Sequence, residues 1–276
     1  MKCIISFSFD DGRIDSYTEA LPILKRYNLP ATFNITTGYV EDHKRYGSPT
    51  GVPPMTMGMV KEIYEDGNYE IAGHGFRHRN DIEDITKGLS KLKKQLGTKQ
   101  LTRFGDGFAS PGTGLDAKTW RFLNGGGNGS IRYARLSLRY LNHGALKSLA
   151  RKICRIIHLP SLYAFAYKDT LMNTIKDGIL YSIPVLSSIR ISELKAVIKY
   201  AEIHDSACIL MFHSIAPKDK VHDNWDYEKG KFEELCKFLS SEQKEGKLIV
   251  RTTMELFEHL ENIFLDFLFE VHKNQL

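Results

Sequence analysis

The sequence predicts an α/β fold, because short apolar runs alternate along the chain with longer segments of helical character. Glycine and proline stand at the junctions, and no internal repeat or low-complexity stretch indicates a solenoid. The predicted helical segments are residues 15–27, 57–66, 82–96, 191–204 and 228–245. Three of the apolar runs end in Asp or His, which predicts that these polar groups share one rim of a barrel or sheet.

The first apolar run spans residues 1–9 and leads directly into Asp10, Asp11 and Gly12. It has the character of a buried strand, so the turn after it leaves two carboxylates at the strand's end. In an extended segment adjacent side chains point to opposite sides, which would let one carboxylate bind a cation while the other faces substrate or water. Asp-Gly is also ordinary turn chemistry, so the pair alone does not establish an active site.

A second short apolar segment, residues 69–72, precedes His74 and His78. We interpret the spacing of four residues as one face of a helical turn, which would bring both imidazole rings to one divalent ion. Imidazole is the usual nitrogen ligand of such ions, and the site would keep positions for a carboxylate and water. The alternative is a pair of solvated or packed histidines.

The third apolar run, residues 207–212, ends at His213. A single histidine in this position is usually structural. The recurrence gives it significance, because the three runs together deliver the carboxylates and imidazoles needed to hydrolyse an amide or ester with a metal ion.

These motifs resemble those of the polysaccharide deacetylases, the family with the NodB-homology domain that is also called carbohydrate esterase family four. Ser8–Gly12, His74–His78 and Leu210–His213 agree with its first, second and last motifs in order and spacing, and residues 30–34 and 107–112 add further similarity. The resemblance implies an α/β fold of a particular kind, a distorted, incomplete (β/α) barrel of the NodB-homology type. It also implies a carbohydrate deacetylase.

The resemblance assigns a role to each residue of the three motifs. Asp11, His74 and His78 would hold one divalent metal ion, for which zinc is the first expectation and cobalt, nickel or manganese are alternatives. Asp10 would be the general base. His213 would be the general acid that protonates the leaving group.

The third motif departs from the family pattern. Many members carry an arginine there that pairs with the catalytic aspartate, whereas this chain has Ala109 or Ser110. Arg135 is a candidate substitute, because a guanidinium can hold a carboxylate bidentately from another loop, and the alternative is a solvated arginine. Ser110 and Pro111 are candidates for binding substrate or orienting the site.

The family's fourth motif, an aspartate that orients the catalytic histidine, has no convincing match. Asp169 and Asp177 lie in the right interval, but neither has supporting surroundings. The partner of His213 is therefore not identified from the sequence.

We predict a single domain over residues 1–276, because no Ser/Pro/Gly-rich linker divides the chain. Within it we expect a basic helical insert around residues 132–168 and a C-terminal amphipathic helix around residues 254–271. Asp10 lies too near Met1 for a signal peptide to precede it, and four widely spaced cysteines suit a reducing compartment. These features favour a cytoplasmic protein, and the basic helical insert would allow peripheral contact at the inner membrane face.

The positive charge is concentrated in one region. Residues 117–168 contain ten Lys or Arg and no Asp or Glu, so with +5 overall the rest of the chain carries −5. Residues 141–165 have a basic amphipathic pattern, typical of helices on anionic membranes. Its basic residues are Lys147, Arg151, Lys152 and Arg155. It would dock on a membrane or bind a glycan phosphate, and the alternative is an insertion whose apolar face packs on the barrel.

The leading functional prediction is a metal-dependent hydrolase that removes an N-acetyl or formyl group from an amino sugar. Its substrate would be an acetylated precursor or oligosaccharide, with lipid-linked and nucleotide-linked forms included, and no nucleic-acid partner is expected. The alternatives are an O-acetyl sugar esterase, a cyclic-amide hydrolase of the same fold, and a non-catalytic protein that binds membrane or nucleic acid. The complete Asp, His, His set favours the metal-dependent deacetylases.

Overall fold

Seven parallel strands form a closed barrel in the computed structural model of the protein. The structure describes residues 2–97, 104–125, 131–138, 145–175 and 177–273. The barrel strands are β1 (Cys3–Phe9), β2 (Ala31–Ile35), β3 (Tyr69–Gly73), β4 (Phe104–Ala109), β5 (Tyr133–Leu136), β6 (Ile179–Pro184) and β7 (Ala207–Phe212). They follow one another in chain order, and β7 pairs with β1 to close the circle. The barrel has one strand fewer than the usual eight, which confirms the predicted distorted, incomplete (β/α) barrel.

The barrel is distorted at β1, which has two neighbours along one edge. Three short strands lie outside the barrel circle: β8 (Ser214–Ala216), β9 (Asp226–Glu228) and β10 (Leu248–Val250). β10 pairs with the first half of β1, whereas β2 pairs with its last two residues. β8 and β9 form a separate parallel pair that directly follows β7.

The described residues also contain ten α-helices. They are α1 (Leu21–Tyr27), α2 (Thr37–Tyr46), α3 (Met57–Asp66), α4 (Ile82–Leu96), α5 (Ala117–Asn124), α6 (Ala145–Ile157), α7 (Pro160–Tyr167), α8 (Ile191–Ile203), α9 (Lys229–Lys244) and α10 (Thr253–Lys273). The bounds of α3 and α4 are the predicted ones, whereas α8 ends one residue earlier than predicted and α9 is one residue shorter at each end. The helix predicted over residues 15–27 begins as a π-helical turn, Ser16–Ala20, and continues as α1.

The outer face of the barrel is packed with aromatic rings. Phe7 and Phe9 of β1 lie beside Phe33 of β2, Phe212 of β7 and Phe232 of α9. Ring centroids are 5.2 Å apart for Phe9 and Phe33, and 5.7 Å apart for Phe7 and Phe232. Because strand side chains alternate between faces, the residues between these phenylalanines point into the barrel.

The inside of the barrel contains a network of polar side chains. Thr32 of β2 donates a hydrogen bond of 2.8 Å to Glu70 of β3, and the hydroxyl of Tyr133 in β5 donates one of 2.6 Å to the same carboxylate. Ser6 of β1 is hydrogen-bonded to Thr253 at 3.2 Å. Buried polar groups are tolerable only when they are paired, and this network satisfies that condition.

The first turn of α10 closes the amino end of the barrel. The backbone N–H groups of Thr253 and Met254 donate to Thr32 and Glu70, at 2.8 and 2.9 Å. A carboxylate at a helix amino terminus is favourable, because unpaired N–H groups point at it. The apolar side of α10 packs against the barrel interior through Leu256, Phe257 and Leu260.

α6 and α7 occupy the connection between β5 and β6, where the sequence predicts a basic insert. Residues 139–144 of that segment lie outside the described residues. Over the described parts of the chain, no helix combines the length and apolar character needed to cross a bilayer.

Candidate active site

The predicted site residues meet at the carboxyl end of the barrel. Asp10 and Asp11 follow β1, His74 follows β3, and His213 follows β7. The backbone N–H of Asp10 donates to the Phe212 carbonyl at 2.9 Å, so the strand ladder continues up to the carboxylate. Parallel strands in a barrel end at the same rim, and this brings together residues that are far apart in sequence.

The potential ligand atoms of Asp11, His74 and His78 lie close together. Oδ1 of Asp11 lies 3.4 Å from Nε2 of His74 and 3.3 Å from Nε2 of His78, and all three atoms lie within 4.8 Å of one another. Burial opposes ionisation of Asp11, but the neighbouring imidazoles of His74 and His78 hold its pKa well below its usual value. Nε2 of His74 is buried without a hydrogen-bond partner among the described residues. One carboxylate and two imidazoles with an unpaired nitrogen fit a divalent transition metal.

The histidines do not lie on a helix, so the predicted helical face is wrong. They stand in a loop after β3 in which Gly75 and His78 have φ values of +78° and +59°. The carboxylate of Asp84, in the first turn of α4, accepts hydrogen bonds from the backbone N–H groups of Phe76, Arg77 and Arg79. The loop therefore folds around one buried carboxylate, which the sequence analysis missed.

Glycine is required at position 75 of this loop. A Cβ atom there would lie 2.6 Å from Oδ2 of Asp84 and 3.0 Å from the Arg79 carbonyl. Asp11 also has a positive φ, +73°, so the Asp10-Asp11 segment turns instead of remaining extended. Both carboxylates consequently face the same rim, which corrects the expectation that they point to opposite sides.

The tautomer of His74 is set by its second nitrogen. Nδ1 lies 2.8 Å from the carbonyl oxygen of Ala109, which can only accept, so Nδ1 carries the hydrogen. The lone pair is then on Nε2, the nitrogen that faces Asp11. Such an orienting contact on the far nitrogen is typical of histidines that bind metals.

Ser110 and Pro111 are held by Asn80. The Ser110 hydroxyl donates to the Asn80 side-chain oxygen at 2.9 Å, and the Asn80 amide donates to the Pro111 carbonyl. The backbone N–H of Ser110 donates to the Arg135 carbonyl at 2.9 Å. These contacts fix the end of β4 beside His74, and a role for either residue in substrate binding stays a prediction.

Arg135 is buried and forms an ion pair with Asp10. The side chains are 1% and 3% exposed, and Nη2 of the arginine donates to Oδ1 of the aspartate. Asn34 donates to the same oxygen at 2.8 Å. Burial raises the pKa of Asp10, but Arg135 and the nearby imidazoles outweigh it, so the net shift is downward. The structure therefore excludes the alternative that Arg135 is a solvated arginine.

The contact between Arg135 and Asp10 uses one arm of the guanidinium, not two as a bidentate pair would. The other arm, Nη1, donates to the hydroxyl of Ser182 at 3.2 Å and contacts the sulfur of Met211 at 2.8 Å. These two residues lie on β6 and β7. Arg135 therefore links three strands below the candidate base.

His213 is half-buried at the end of β7 and lies against Trp225, with the ring centroids 4.2 Å apart. Burial lowers the pKa of His213, and the nearby carboxylates oppose this only in part. Its Nδ1 is buried without a hydrogen-bond partner in the described part of the chain. Asp177 precedes β6 and Asp169 precedes the bridge between Met172 and Ala207, so both stand toward the amino ends of strands, away from His213.

Asp11 and His78 open into a cleft of about 920 Å³ that His213 and Trp225 also line. Arg13 and Asp15, which the sequence analysis missed, also line this cleft. Nη1 of Arg13 lies 3.7 Å from Asp11, and its Nε lies 3.8 Å from Asp15. Burial raises the pKa of Asp15 to about 6. The alternation of charge at positions 11, 13 and 15 was the available signal in the sequence.

The fold and the site together define a (β/α)-barrel protein with the groups of a hydrolytic centre at its carboxyl rim. The family model described as polysaccharide deacetylase matches residues 2–142, about half of the chain. The chain belongs to the polysaccharide deacetylase family, which confirms the resemblance seen in the motifs. The match includes Asp10, Asp11, the two loop histidines and Arg135, whereas His213 lies beyond it.

A curated relative matches part of the chain. The poly-beta-1,6-N-acetyl-D-glucosamine N-deacetylase of Staphylococcus aureus strain MSSA476 is 32% identical over 94 residues, which are 34% of this chain and 30% of that protein. The match thus spans under a third of the curated relative's length.

Two solved structures share the fold over nearly their whole length. A putative polysaccharide deacetylase from Mycobacterium smegmatis has a TM-score of 0.52 at 15% identity, covering 95% of this chain and 91% of its own. A family 4 acetyl xylan esterase from Clostridium thermocellum, in complex with a cobalt ion, has a TM-score of 0.50 at 15% identity, with coverages of 92% and 90%. At this identity the likeness establishes the fold alone.

Proposed function

We propose that this protein is a metal-dependent deacetylase that removes the acetyl group from N-acetylglucosamine units of a glycan. The convergence of Asp11, His74 and His78 beside Asp10, in a barrel of this family, carries the proposal. The name of the Staphylococcus aureus relative supports an amide-linked acetyl group as the target. A glycan carried on a lipid or nucleotide is the form we favour, because the basic segment of residues 117–168 could bind its phosphate.

Asp11, His74 and His78 would hold the ion. Their donor set suits zinc, with cobalt, nickel or manganese as alternatives. When bound, a divalent ion supplies Lewis-acid chemistry that polarises a carbonyl and makes a water molecule more acidic. The hydrogen bond from His74 to Ala109 prepares that ring, because it leaves the lone pair on the nitrogen beside Asp11.

Asp10 acts as the general base in this proposal. Its Oδ1 accepts hydrogen bonds from Arg135 and Asn34, so Oδ2 takes the proton from the attacking water. The water oxygen bonds to the acetyl carbon, and the carbon–nitrogen bond then breaks. His213 donates a proton to the departing nitrogen, because an amide anion is a very poor leaving group. The products are acetate and a free amino sugar.

We expect His74→Ala to remove the metal site without unfolding the barrel. Wild type should bind one zinc ion per chain and release acetate from N-acetylglucosamine oligomers, whereas the variant should do neither. His43→Ala, which alters an exposed histidine of α2, is the matched control and should behave as wild type. Metal analysis after dialysis and an acetate assay measure both properties. Turnover by a metal-free wild type would contradict the proposal.

His213→Ala should slow amide substrates more than ester substrates. An alkoxide can leave with little protonation, whereas the amide nitrogen must be protonated before it leaves, so the amide depends more strongly on the proton from His213. We expect a loss of about 10²- to 10⁴-fold on an N-acetyl sugar and a smaller loss on the matching O-acetyl sugar. Steady-state kcat/KM on the two substrates gives the comparison. Equal losses would mean that His213 only stabilises charge.

A further inference from the structure

The helix α6 turns its apolar stripe toward solvent. Leu149, Ile153, Ile156 and Ile157 follow the spacing of one helical face, and they are 54%, 40%, 76% and 51% exposed. On the inner side of this helix, the structure buries Arg151. The arrangement is the reverse of an ordinary surface helix, in which the apolar stripe faces the core. These four side chains therefore do not pack on the barrel, whereas Cys154 of the same helix lies in the buried core.

The helix α7 extends the same surface. Leu159, Leu162 and Phe165 are 49%, 39% and 58% exposed. We call the exposed apolar residues of α6 and α7, together with Leu159 between the two helices, the apolar ridge. It contains seven of the twelve large apolar side chains that are exposed in the described residues. Single exposed apolar residues are normal on a protein surface, but a contiguous group of this size marks a contact surface.

The charge around the apolar ridge identifies what the surface would contact. Residues 145–168, which include α6 and α7, contain five basic residues and no acidic ones, and of the five Arg151 is buried. Lys152 is exposed on α6, three residues from Leu149 and four from Ile156. The Lys168 ammonium lies 4.0 Å from the centroid of the Phe165 ring, at the end of α7. Apolar side chains bordered by cations complement the acyl boundary and the anionic headgroups of a lipid surface.

We propose that the apolar ridge docks the protein on an anionic lipid bilayer. A second copy of the chain is a poorer occupant, because it would place two strongly basic segments against each other. The segment begins just after Arg135, at the rim that carries the candidate active site. Docking through it would hold that rim near the membrane, where a lipid-linked glycan is presented.

Vesicle flotation tests the proposal. Wild type should float with vesicles of equal parts phosphatidylglycerol and phosphatidylcholine, and should stay in solution with phosphatidylcholine alone. Leu149→Ser/Ile156→Ser should bind at least about tenfold more weakly. The matched control is Phe122→Ser/Ile203→Ser, whose two side chains are 60% and 77% exposed outside the apolar ridge, and it should bind as wild type.

Two charge-reversal variants test the contribution of the basic residues. Lys152→Glu should weaken binding, whereas Lys237→Glu, which alters an exposed lysine of α9, should not. Failure of wild type to float, equal binding to neutral vesicles, or equal loss in the two serine variants would each overturn the proposal. A wild-type dimer that dissociates in Leu149→Ser/Ile156→Ser, without vesicle binding, would assign the surface to a second copy instead. Thermal unfolding verifies that the variants are folded.

The docking proposal and the proposed function fail separately. Flotation needs no turnover, so Asp10→Asn should float as wild type even when it releases no acetate. Conversely, acetate release from a soluble oligosaccharide should be unchanged in Leu149→Ser/Ile156→Ser.

Discussion

Asp10→Asn should reduce acetate release by at least about 10³-fold while the protein keeps its metal. Asparagine has nearly the shape of aspartate and can still accept the hydrogen bonds from Asn34 and Arg135. It cannot take a proton from water, so the substitution removes the base and leaves the ligands Asp11, His74 and His78 in place. The measurement is kcat on an N-acetylglucosamine oligomer, together with metal content after dialysis.

The control for this prediction is Asp219→Asn, which removes an exposed carboxylate in a short 3₁₀ turn between β8 and β9. It should retain wild-type activity. Turnover by Asp10→Asn within a few-fold of wild type would exclude Asp10 as the base. Loss of the metal in the same variant would mean instead that Asp10 is itself a ligand.

The rim of the site could be predicted because it depends only on where strands end. An apolar run followed by Asp, or by His, places that group at a strand terminus, and parallel strands bring their termini together. Asp11, His74 and His213 were found in this way. The same reasoning cannot tell how the chain turns after the strand, because the turn depends on contacts between distant segments.

The conformation of the loop that carries His74 and His78 could not be predicted from the sequence. Two histidines four residues apart suit a helical face, and also a loop with two left-handed residues, and the spacing cannot separate them. Asp84 stabilises the loop, because its carboxylate accepts hydrogen bonds from backbone N–H groups that would otherwise bond within a helix. Gly75 permits it, because only glycine fits so close to Asp84. Neither the hydrogen bonds of Asp84 nor the lack of space beside Gly75 follows from the sequence.

Arg135 shows a second limit. It is one of ten basic residues between positions 117 and 168, and its partner is 125 positions away in the chain. Alternation in β5 places Arg135 on the same side as Tyr133, inside the barrel, but only after the strand has been located. Arg151 is also turned inward, although the sequence groups it with solvent-facing charges. The amino-acid composition locates the basic region, but only the packing of the folded chain determines which of its basic residues face the interior.

Arg135→Met should lower the free energy of unfolding by about 3–5 kcal/mol, because it leaves the buried carboxylate of Asp10 without its counter-charge. Methionine fills much of the same volume, so a cavity contributes little to the loss. The hydrogen bond to Ser182 is also removed. Urea unfolding at neutral pH measures the effect. Arg121→Met, at an exposed site on α5, is the control and should change stability by less than about 0.5 kcal/mol.

The double variant Asp10→Asn/Arg135→Met distinguishes the ion pair from simple packing. If the loss in Arg135→Met comes from an unpaired buried charge, removing that charge as well should recover part of the stability. If the loss comes from packing, the double variant should be no more stable than Arg135→Met. Neither variant should turn over substrate, since one lacks the base and the other lacks the group that holds it. Recovered stability without recovered activity would therefore assign Arg135 to positioning a charged base.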